Sequence, residues 1–245
     1  MAGLSIIIPT LNEANCLPYI LRCLSALEPP AVEIIIVDGG SQDQTRLIAD
    51  NYGITTISSP IARRSFQMNL GAKAATTELL CFLHADTLVP NDLVTLIEMT
   101  LAEPQIAGGG FICLMSGQKT TRWDISLHNY LKTYYAPLIF RPHLFFFKGL
   151  RLLFGDQVMF CRQTDFWDCG GFDSDLPIME DADLCLKLVN KGRICLINRV
   201  VQSSDRRVAA LGTLKAHGLY LWLGFLWGLG VSATYLKGFY PDIRT

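Results

Sequence analysis

The sequence has few charged residues and almost no net charge. Asp, Glu, Lys and Arg make up 18% of its 245 residues, and the formal net charge is -1. Nucleic-acid binding depends on a basic field that releases counterions from phosphates, so this balance argues against a nucleic-acid partner. Half of the residues are hydrophobic, which is enough for a sizeable core, and the length suits one α/β unit.

Disulfide, zinc, dinucleotide and secretion signatures are also lacking. The eight cysteines are scattered and form no Cys-x-x-Cys pair, which is typical of reduced core residues in a cytosolic protein. No Gly-x-Gly-x-x-Gly follows the first apolar run, so the pattern does not indicate a dehydrogenase. The N-terminus has no charged start followed by a hydrophobic core, and this predicts a cytoplasmic location.

Three short apolar runs end in acidic residues. Runs of this length, bounded by Gly, Pro and Asp, indicate buried strands, and open α/β sheets bind ligands beyond the carboxyl ends of their strands. We therefore expect the carboxylates to meet in one crevice, which needs a metal ion or a polar substrate. The runs are residues 34–37 before Asp38, 79–83 before His84 and Asp86, and 176–179 before Glu180, Asp181 and Asp183.

Strand and helix patterns alternate along the first half of the chain. Strands are predicted over 4–9, 32–37, 54–57 and 79–83, with helices over 14–27, 42–51, 65–75 and 91–101. This order predicts a mostly parallel sheet with right-handed crossovers. The second half is less regular, with strands predicted over 106–114 and 157–160 and a helix over 180–189.

Residues 216–236 contain no Lys, Arg, Asp or Glu. The run is long enough to span a bilayer, but it holds four glycines and has a lysine at each end. Three interpretations stay open: a helix packed on the domain or on a partner subunit, a helix lying on the membrane, and a true span. Residues 134–154 mix aromatic with basic side chains and would suit the membrane-surface interpretation.

Four ordered motifs together resemble family 2 glycosyltransferases of the GT-A fold. They are SIIIPTLNE at 5–13, VDGGS at 37–41 with Asp43 and Thr45, HAD at 84–86 and EDADL at 180–184. The match runs over about 4–207. With RRSFQMN at 63–69 and SSDRR at 203–207, it is most similar to a small bacterial subgroup linked by gene context to arsenosugar or selenium-related pathways.

The resemblance implies a Rossmann-like, mostly parallel mixed sheet flanked by helices. It divides the chain into a GT-A domain over 1–210 and an apolar C-terminal helical segment over 211–245. Within the domain, a nucleotide-sugar half covers about 1–115 and an acceptor half covers about 116–210. The apolar segment would pack on the domain, a partner or a membrane.

The resemblance also implies a donor site at the ends of the first strands. Guanidinium groups suit the diphosphate because their donors match phosphate oxygens in pairs, and Gly39 lets the backbone approach closely. Helix caps, a tight turn and a solvated loop pair are the alternative roles for these residues. The donor residues it implies are Pro9, Thr10, Asn12, Glu13, Asp38, Gly39, Arg63, Arg64, Gln67, Asn69, His84, Arg206 and Arg207.

Metal and catalytic roles follow from the same resemblance. His84 replaces the first Asp of the family's Asp-x-Asp motif, which leaves Asp86 as the ligand for Mg²⁺ or Mn²⁺. Asp181 is the implied base and Glu180 its neighbour, although two capping acids at a helix start would look the same. Asp156 and Gln157 fall in the acceptor-facing segment, where a tight turn is the alternative.

These residues predict an inverting glycosyltransferase that moves a sugar from a nucleotide-diphosphate sugar, UDP being favoured by family frequency, to a small-molecule or glycan hydroxyl. A membrane-surface polyprenyl-phosphate glycosyltransferase is the alternative, ahead of a nucleotidyltransferase and a non-catalytic sugar-nucleotide binder. The expected partners are the donor and an unknown acceptor. Peripheral membrane contact at the inner face and a homo-oligomer are further options.

Overall fold

A computed structural model of the chain describes residues 3–117 and 120–240. In this part of the chain, eight strands form one mixed sheet in the order β3-β2-β1-β4-β7-β6-β8-β5. The strands are β1 (Leu4–Thr10), β2 (Glu33–Asp38), β3 (Thr55–Ser58), β4 (Leu79–Phe82), β5 (Thr87–Leu88), β6 (Ile106–Ser116), β7 (Met159–Arg162) and β8 (Arg193–Ser204).

Helices connect the strands and cover both faces of the sheet. They are α1 (Leu17–Ser25), α2 (Thr45–Asn51), α3 (Arg64–Ala74), α4 (Leu93–Leu101), α5 (Trp123–Phe140), α6 (Pro142–Lys148), α7 (Gln163–Asp168), α8 (Glu180–Leu188), α9 (Arg206–Leu211), α10 (Thr213–Gly228) and α11 (Ala233–Lys237). The predicted strand and helix alternation of the first half is confirmed, because each predicted element is present with its ends moved by a few residues.

The first-half strands pair in parallel around β1. β1 pairs with β2 on one side and β4 on the other, and Thr10 at the end of β1 stands opposite Asp38 at the end of β2. Parallel strands bring their carboxyl ends to one edge of the sheet. The loops that carry the first two acidic motifs therefore begin at the same edge.

The second half adds antiparallel neighbours and corrects two strand predictions. β7 runs antiparallel between β4 and β6, so the sheet is mixed as expected. Residues 176–179 form a loop and not a strand, because Pro177 cannot donate to a ladder and Met179 has a φ of 66°. Gln157 belongs to a short 3-10 turn, Gly155–Gln157, and the predicted strand begins at Met159 instead. The sequence patterns did not predict β8 or α5.

Alternating side chains on the central strands build two apolar layers. Ile6 and Ile8 of β1 lie in one buried cluster, and Ile7 lies in the other. Each of these side chains is fully buried, and burial of such a side chain stabilises the fold by roughly 1.5–3 kcal/mol. Gly71 lets α3 pack closely on the sheet, since a Cβ there would collide with Ile7.

The apolar C-terminal run forms α10 and α11. Leu223 of α10 is buried, and Gly228 lies so close to Phe140 of α5 that a Cβ would collide with its ring. The outer side of α10 stays exposed, as with Leu214 at 88%. Across 3–117 and 120–240, no helix is both long enough and apolar enough to cross a bilayer. The division near residue 210 stays a prediction, and residues 1–2 and 241–245 of the two predicted segments lie outside the described residues.

Candidate active site

A cavity of about 220 Å³ lies where β1 and β4 end. Pro9 and Glu13 line it from the β1 side, and the HAD motif lines it from the β4 side. The expected meeting of acidic motifs in one crevice is therefore borne out for Asp86 and Asp181, whereas Asp38 is not part of the described lining. The predicted site residues in the lining are Pro9, Glu13, Arg64, His84, Asp86, Asp156, Asp181, Arg206 and Arg207.

The two adjacent acids at the start of α8 have different environments. The left-handed backbone of Met179 turns the chain into the helix, and successive helix residues point about 100° apart. Asp181 lines the cavity, whereas Glu180 is only 2% exposed and points toward α3. There Arg64 Nε donates to Glu180 Oε1 at 2.5 Å, while Arg64 Nη2 lies 4.0 Å from Asp181 Oδ2.

This asymmetric use of Arg64 separates the pKa values of the two carboxylates. Burial acts to raise the pKa of Glu180, but the charge and hydrogen bond of Arg64 outweigh it and hold that pKa below its usual value. For Asp181, burial and the neighbouring Glu180 charge outweigh the weaker pull of Arg64 and raise the pKa to about 6. Two nearby acids with separated pKa values are a common arrangement in acid–base catalysis.

His84 links Arg64 to Asp156 across the floor of the cavity. Arg64 Nη1 lies 3.1 Å from His84 Nε2, and a guanidinium can only donate, so Nε2 accepts. The ring proton then sits on Nδ1, which faces Asp156 Oδ1 at 3.4 Å. Burial acts to raise the pKa of Asp156, but His84, Arg64 and Arg207 together lower it. Gly155 is needed beside them, because a Cβ there would collide with the imidazole.

A second charged cluster joins the loop after β1 to the start of α9. Arg206 Nη2 lies 3.0 Å from Glu13 Oε2 and 2.9 Å from Asp86 Oδ2. Asp205, just before it, pairs with Arg122 at 2.8 Å and fixes the start of α9 near α5. Within the described residues, no group of three or more His, Cys, Asp or Glu side chains could hold a metal ion alone. Two carboxylates nevertheless converge on one cationic nitrogen here.

Three other residues that were predicted to bind the nucleotide-sugar donor form hydrogen bonds with backbone groups. Gln67 is buried, and its Nε2 donates to the carbonyls of Thr10 and Val37, which ties the ends of β1 and β2 together. Asn69 exchanges hydrogen bonds with the backbone of Phe172. Arg63 Nη1 donates to the carbonyl of Ser174. None of these side chains is among the described residues that line the cavity, and their contacts with the nucleotide sugar stay predictions.

The loop after β2 is organised by Asp38 itself. Asp38 Oδ2 accepts from the backbone N–H groups of Gly40 and Ser41, and its Oδ1 accepts from the hydroxyls of Thr10 and Ser41. Asn12, with a φ of 55°, joins this loop to the loop after β1 by accepting from the N–H of Gln42. These contacts hold the loops after β1 and β2 together. Thr10, Asn12, Asp38 and Gly39 are not among the described residues that line the cavity.

The two residues predicted to face the acceptor occupy different places. Asp156 lines the cavity, whereas the buried Gln157 bonds inward, accepting from Phe154 N–H and donating from Nε2 to Thr133 Oγ1 at 3.1 Å. Lys132 on α5 and Tyr220 on α10 are among the lining residues that the sequence did not predict. The spacing of Tyr220, Leu223 and Gly224 at i, i+3 and i+4 was an available signal for one helix face.

Comparison with known proteins identifies the family. The model for Glycosyl transferase family 2 matches residues 5–165, which is more than half of the chain. The chain belongs to that family. The resemblance inferred from the four motifs is thereby confirmed, while the link to arsenosugar or selenium-related pathways stays a prediction.

Several sequence relatives match over only part of their own length. A pre-mycofactocin glycosyltransferase of Mycobacterium tuberculosis is 23% identical over 194 residues, covering 77% of this chain and 39% of the relative. A PGL/p-HBAD biosynthesis glycosyltransferase of Mycobacterium bovis is 39% identical over 88 residues, 34% of each chain. The chain therefore spans about two fifths or less of the length of these relatives.

Solved structures of similar shape include two that hold a bound nucleotide and Mn²⁺. Glucosyl-3-phosphoglycerate synthase of Mycobacterium tuberculosis, solved with Mn²⁺, UDP and phosphoglyceric acid, gives a TM-score of 0.65 at 17% identity and covers 99% of this chain and 80% of that one. A Pyrobaculum calidifontis mannosyltransferase with GDP-Man and Mn²⁺ also gives 0.65, at 18% identity over 87% of this chain and 62% of its own. These similarities confirm the expected GT-A fold.

Proposed function

We propose that the protein is an inverting glycosyltransferase that uses a nucleotide-diphosphate sugar, UDP-linked in the first instance, and a hydroxyl acceptor. The observation that carries this proposal is Asp181, a carboxylate in the cavity wall whose pKa is raised to about 6 by burial and by Glu180. A base works best with a pKa near the working pH, and such catalysis contributes typically ~10² to 10⁴ in rate. Asp181 would take the proton of the acceptor hydroxyl while the hydroxyl oxygen attacks the anomeric carbon of the donor sugar.

The leaving diphosphate would lie at the cluster of Glu13, Asp86 and Arg206. Mg²⁺ is usually held by one or two carboxylates together with substrate phosphates, so the two carboxylates around Arg206 Nη2 fit Mg²⁺ or Mn²⁺. When bound, the ion supplies charge neutralisation for the diphosphate. Arg206 and Arg207 would then contact the phosphate oxygens, and Asp86 would be the first protein ligand to the metal.

Product analysis with a panel of sugar nucleotides tests this function. The protein would be incubated with UDP- and GDP-linked sugars, Mg²⁺ or Mn²⁺ and a mixture of hydroxyl acceptors. We expect release of nucleoside diphosphate and a product of inverted anomeric configuration by NMR. Release of sugar 1-phosphate would instead identify nucleotidyl transfer, and retention of configuration would contradict the role of Asp181 as a base.

Exposed apolar side chains support a second candidate, a polyprenyl-phosphate glycosyltransferase at the inner face of the membrane. Phe146 and Phe147 of α6 are 68% and 87% exposed, and Trp123 of α5 is 70% exposed. Large exposed apolar patches are typical of membrane or protein contacts, and Arg141 and Lys148 at the ends of α6 suit anionic lipid headgroups.

Flotation with anionic liposomes tests this second candidate. We expect the protein to float with the vesicles, and we expect a Phe146→Ser/Phe147→Ser variant to float less because its apolar anchor is reduced. Leu47→Ser is the matched control, because Leu47 is also exposed but lies on α2 beside the opposite edge of the sheet. If the wild-type protein does not float with the vesicles, membrane contact is excluded.

A further inference from the structure

Lys132 places a half-buried cation in the lining of the cavity. It lies on α5, and its Nζ sits 3.6 Å from the centroid of the Phe154 ring. Phe154 immediately precedes the turn that carries Asp156, and both line the cavity together with Lys132. In the described part of the chain, no hydrogen bond or ion pair joins Lys132 to a carboxylate. Its ammonium group is therefore held mainly by an aromatic face.

Two other cations of the cavity, Arg64 and Arg206, differ from Lys132 in having close carboxylate partners. Arg64 bonds to Glu180, and Arg206 bonds to Asp86 and Glu13. The carboxylate of Asp156 faces His84 at 3.4 Å and also feels the charge of Arg207. Asp156 attracts Lys132 at longer range, but burial outweighs that attraction and lowers the pKa of Lys132 to about 8.

A cation that loses its water without gaining a close anion destabilises the folded protein. Such a group is expected where a ligand supplies the missing charge. The surroundings of Lys132 suit an anion with an apolar body: Tyr220 contributes a hydroxyl, and Leu223 and Ile178 contribute apolar surface. Asp181 lines the same cavity, so an acceptor held by Lys132 shares this space with the proposed base.

We propose that Lys132 binds a phosphate or carboxylate group of the acceptor and so selects an anionic acceptor. This inference rests on the proposed transferase function, since it assigns the second substrate of the same cavity. Lys132 acts in specificity and positioning, and the proton transfer stays with Asp181. The anion can belong to a soluble metabolite or to a lipid headgroup, because both present the same charge and oxygen atoms to the ammonium group.

Binding to the protein loaded with UDP and Mg²⁺ tests the inference without a known acceptor. UDP occupies the diphosphate position first, so that an added anion cannot use it. Glycerol phosphate and glycerate are then titrated by calorimetry, with uncharged glycerol as the matched ligand, and vesicles with and without a polyprenyl phosphate form the lipid arm. We expect anion binding that Lys132→Met weakens by about tenfold or more, in line with the loss of a charge-assisted hydrogen bond.

Two further variants make the result specific. Lys132→Arg keeps the charge and should retain most of the anion affinity, and Lys73→Met removes an exposed lysine outside the cavity and should change nothing. Dependence on Lys132 in the soluble arm alone assigns a soluble anion, and dependence in the vesicle arm alone assigns a lipid phosphate. Equal binding by the wild type and Lys132→Met, or no anion binding in either arm, would overturn the inference.

The same experiment separates this inference from the proposed function. UDP with Mg²⁺ binds first in every titration, and we expect its affinity to be unchanged in Lys132→Met. A wild-type protein that binds UDP but shows no Lys132-dependent anion binding refutes only the anionic acceptor. A wild-type protein that binds no nucleotide at all refutes the transferase proposal itself.

Discussion

Replacing Asp181 by Asn should lower the activity of the protein and raise its stability above neutral pH. The substitution keeps the size of the side chain and most of its hydrogen bonding but removes its charge and its basicity. Asp181 is buried beside Glu180, and its pKa rises from an ordinary 3.8 to about 6 in the folded protein. The folded state therefore holds the proton of Asp181 more tightly than the unfolded state does.

The sign of the stability effect follows from that difference. Below pH 4 the carboxyl is protonated in both states, and its burial costs little. As the pH rises through about 6, the folded protein must hold a buried carboxylate that the unfolded chain exposes to water, so the wild type loses stability. At about 1.36 kcal/mol for each pKa unit, the loss above pH 7 is on the order of 3 kcal/mol.

The Asp181→Asn variant escapes this loss because Asn carries no charge. At pH 8 its Tm should exceed that of the wild type by several degrees, since about 1 kcal/mol shifts the Tm of a protein of this size by roughly 2–4 °C. At pH 4 the two Tm values should converge. Turnover with a hydroxyl acceptor should fall by ~10² or more while UDP affinity is nearly unchanged.

Calorimetric melting at both pH values and steady-state kinetics measure the two effects on the same samples. Asp183→Asn is the matched control: it lies two residues further along α8, outside the described cavity lining, and pairs with Lys187 at 2.8 Å. It should lose a few tenths of a kcal/mol and keep full activity. Near wild-type turnover in Asp181→Asn, or an equal Tm at pH 8, would refute the assignment of Asp181 as a buried base.

Two further predictions concern the charged clusters. Arg64→Met should lower the free energy of unfolding by roughly 3–5 kcal/mol in urea titrations, because it leaves Glu180 charged and buried, whereas Arg63→Met, with a half-exposed side chain, should cost less than about 1 kcal/mol. Equal losses for both would contradict the ion pair with Glu180. UDP with Mn²⁺ should raise the Tm more than either alone, and Asp86→Ala should lose that extra gain, whereas Asp92→Ala, which breaks a surface pair with Arg199, should keep it. The same gain in Asp86→Ala and the wild type would remove Asp86 as the metal ligand.

The sequence predicted the first half of the fold well because its signals are local. Short apolar runs form β1, β2 and β4, and helices alternate with the strands along this part of the chain. Parallel pairing then fixes which ends share an edge, so the convergence of Asp86 with the loop after β1 follows without knowledge of any side-chain contact. Asp38 shows the limit of this argument, because it reaches the predicted edge but turns into its own loop.

The second half of the chain could not be predicted as far because residues that line the cavity from it are distant in sequence. Lys132 and Tyr220 are 88 residues apart and meet only because α10 packs beside α5. Tyr220 lies within the uncharged run, where its apolar neighbours suggested burial or membrane contact but no catalytic role. β8 was missed for another reason: its apolar run at 194–197 is followed by Asn198 and Arg199, and much of the strand is half exposed.

At the starts of α3 and α8, two neighbouring residues of the same charge point in different directions and make different contacts. Arg63 stands before α3 in an extended conformation and bonds to a loop carbonyl, whereas Arg64 is the first residue of the helix and turns into the cavity. Glu180 and Asp181 diverge in the same way at the start of α8, which places Glu180 against Arg64 and leaves Asp181 facing the cavity.

Arg64 pairs with Glu180 Oε1, and this contact affects the pKa of the neighbouring Asp181. If Arg64 were shared equally, it would lower both pKa values and leave no group able to accept a proton near neutral pH. Because Glu180 keeps its own charge and the closer hold on Arg64, burial and the Glu180 charge together raise the pKa of Asp181. The ion pair therefore keeps Glu180 charged and leaves Asp181 as the carboxylate of the two that can take a proton near neutral pH.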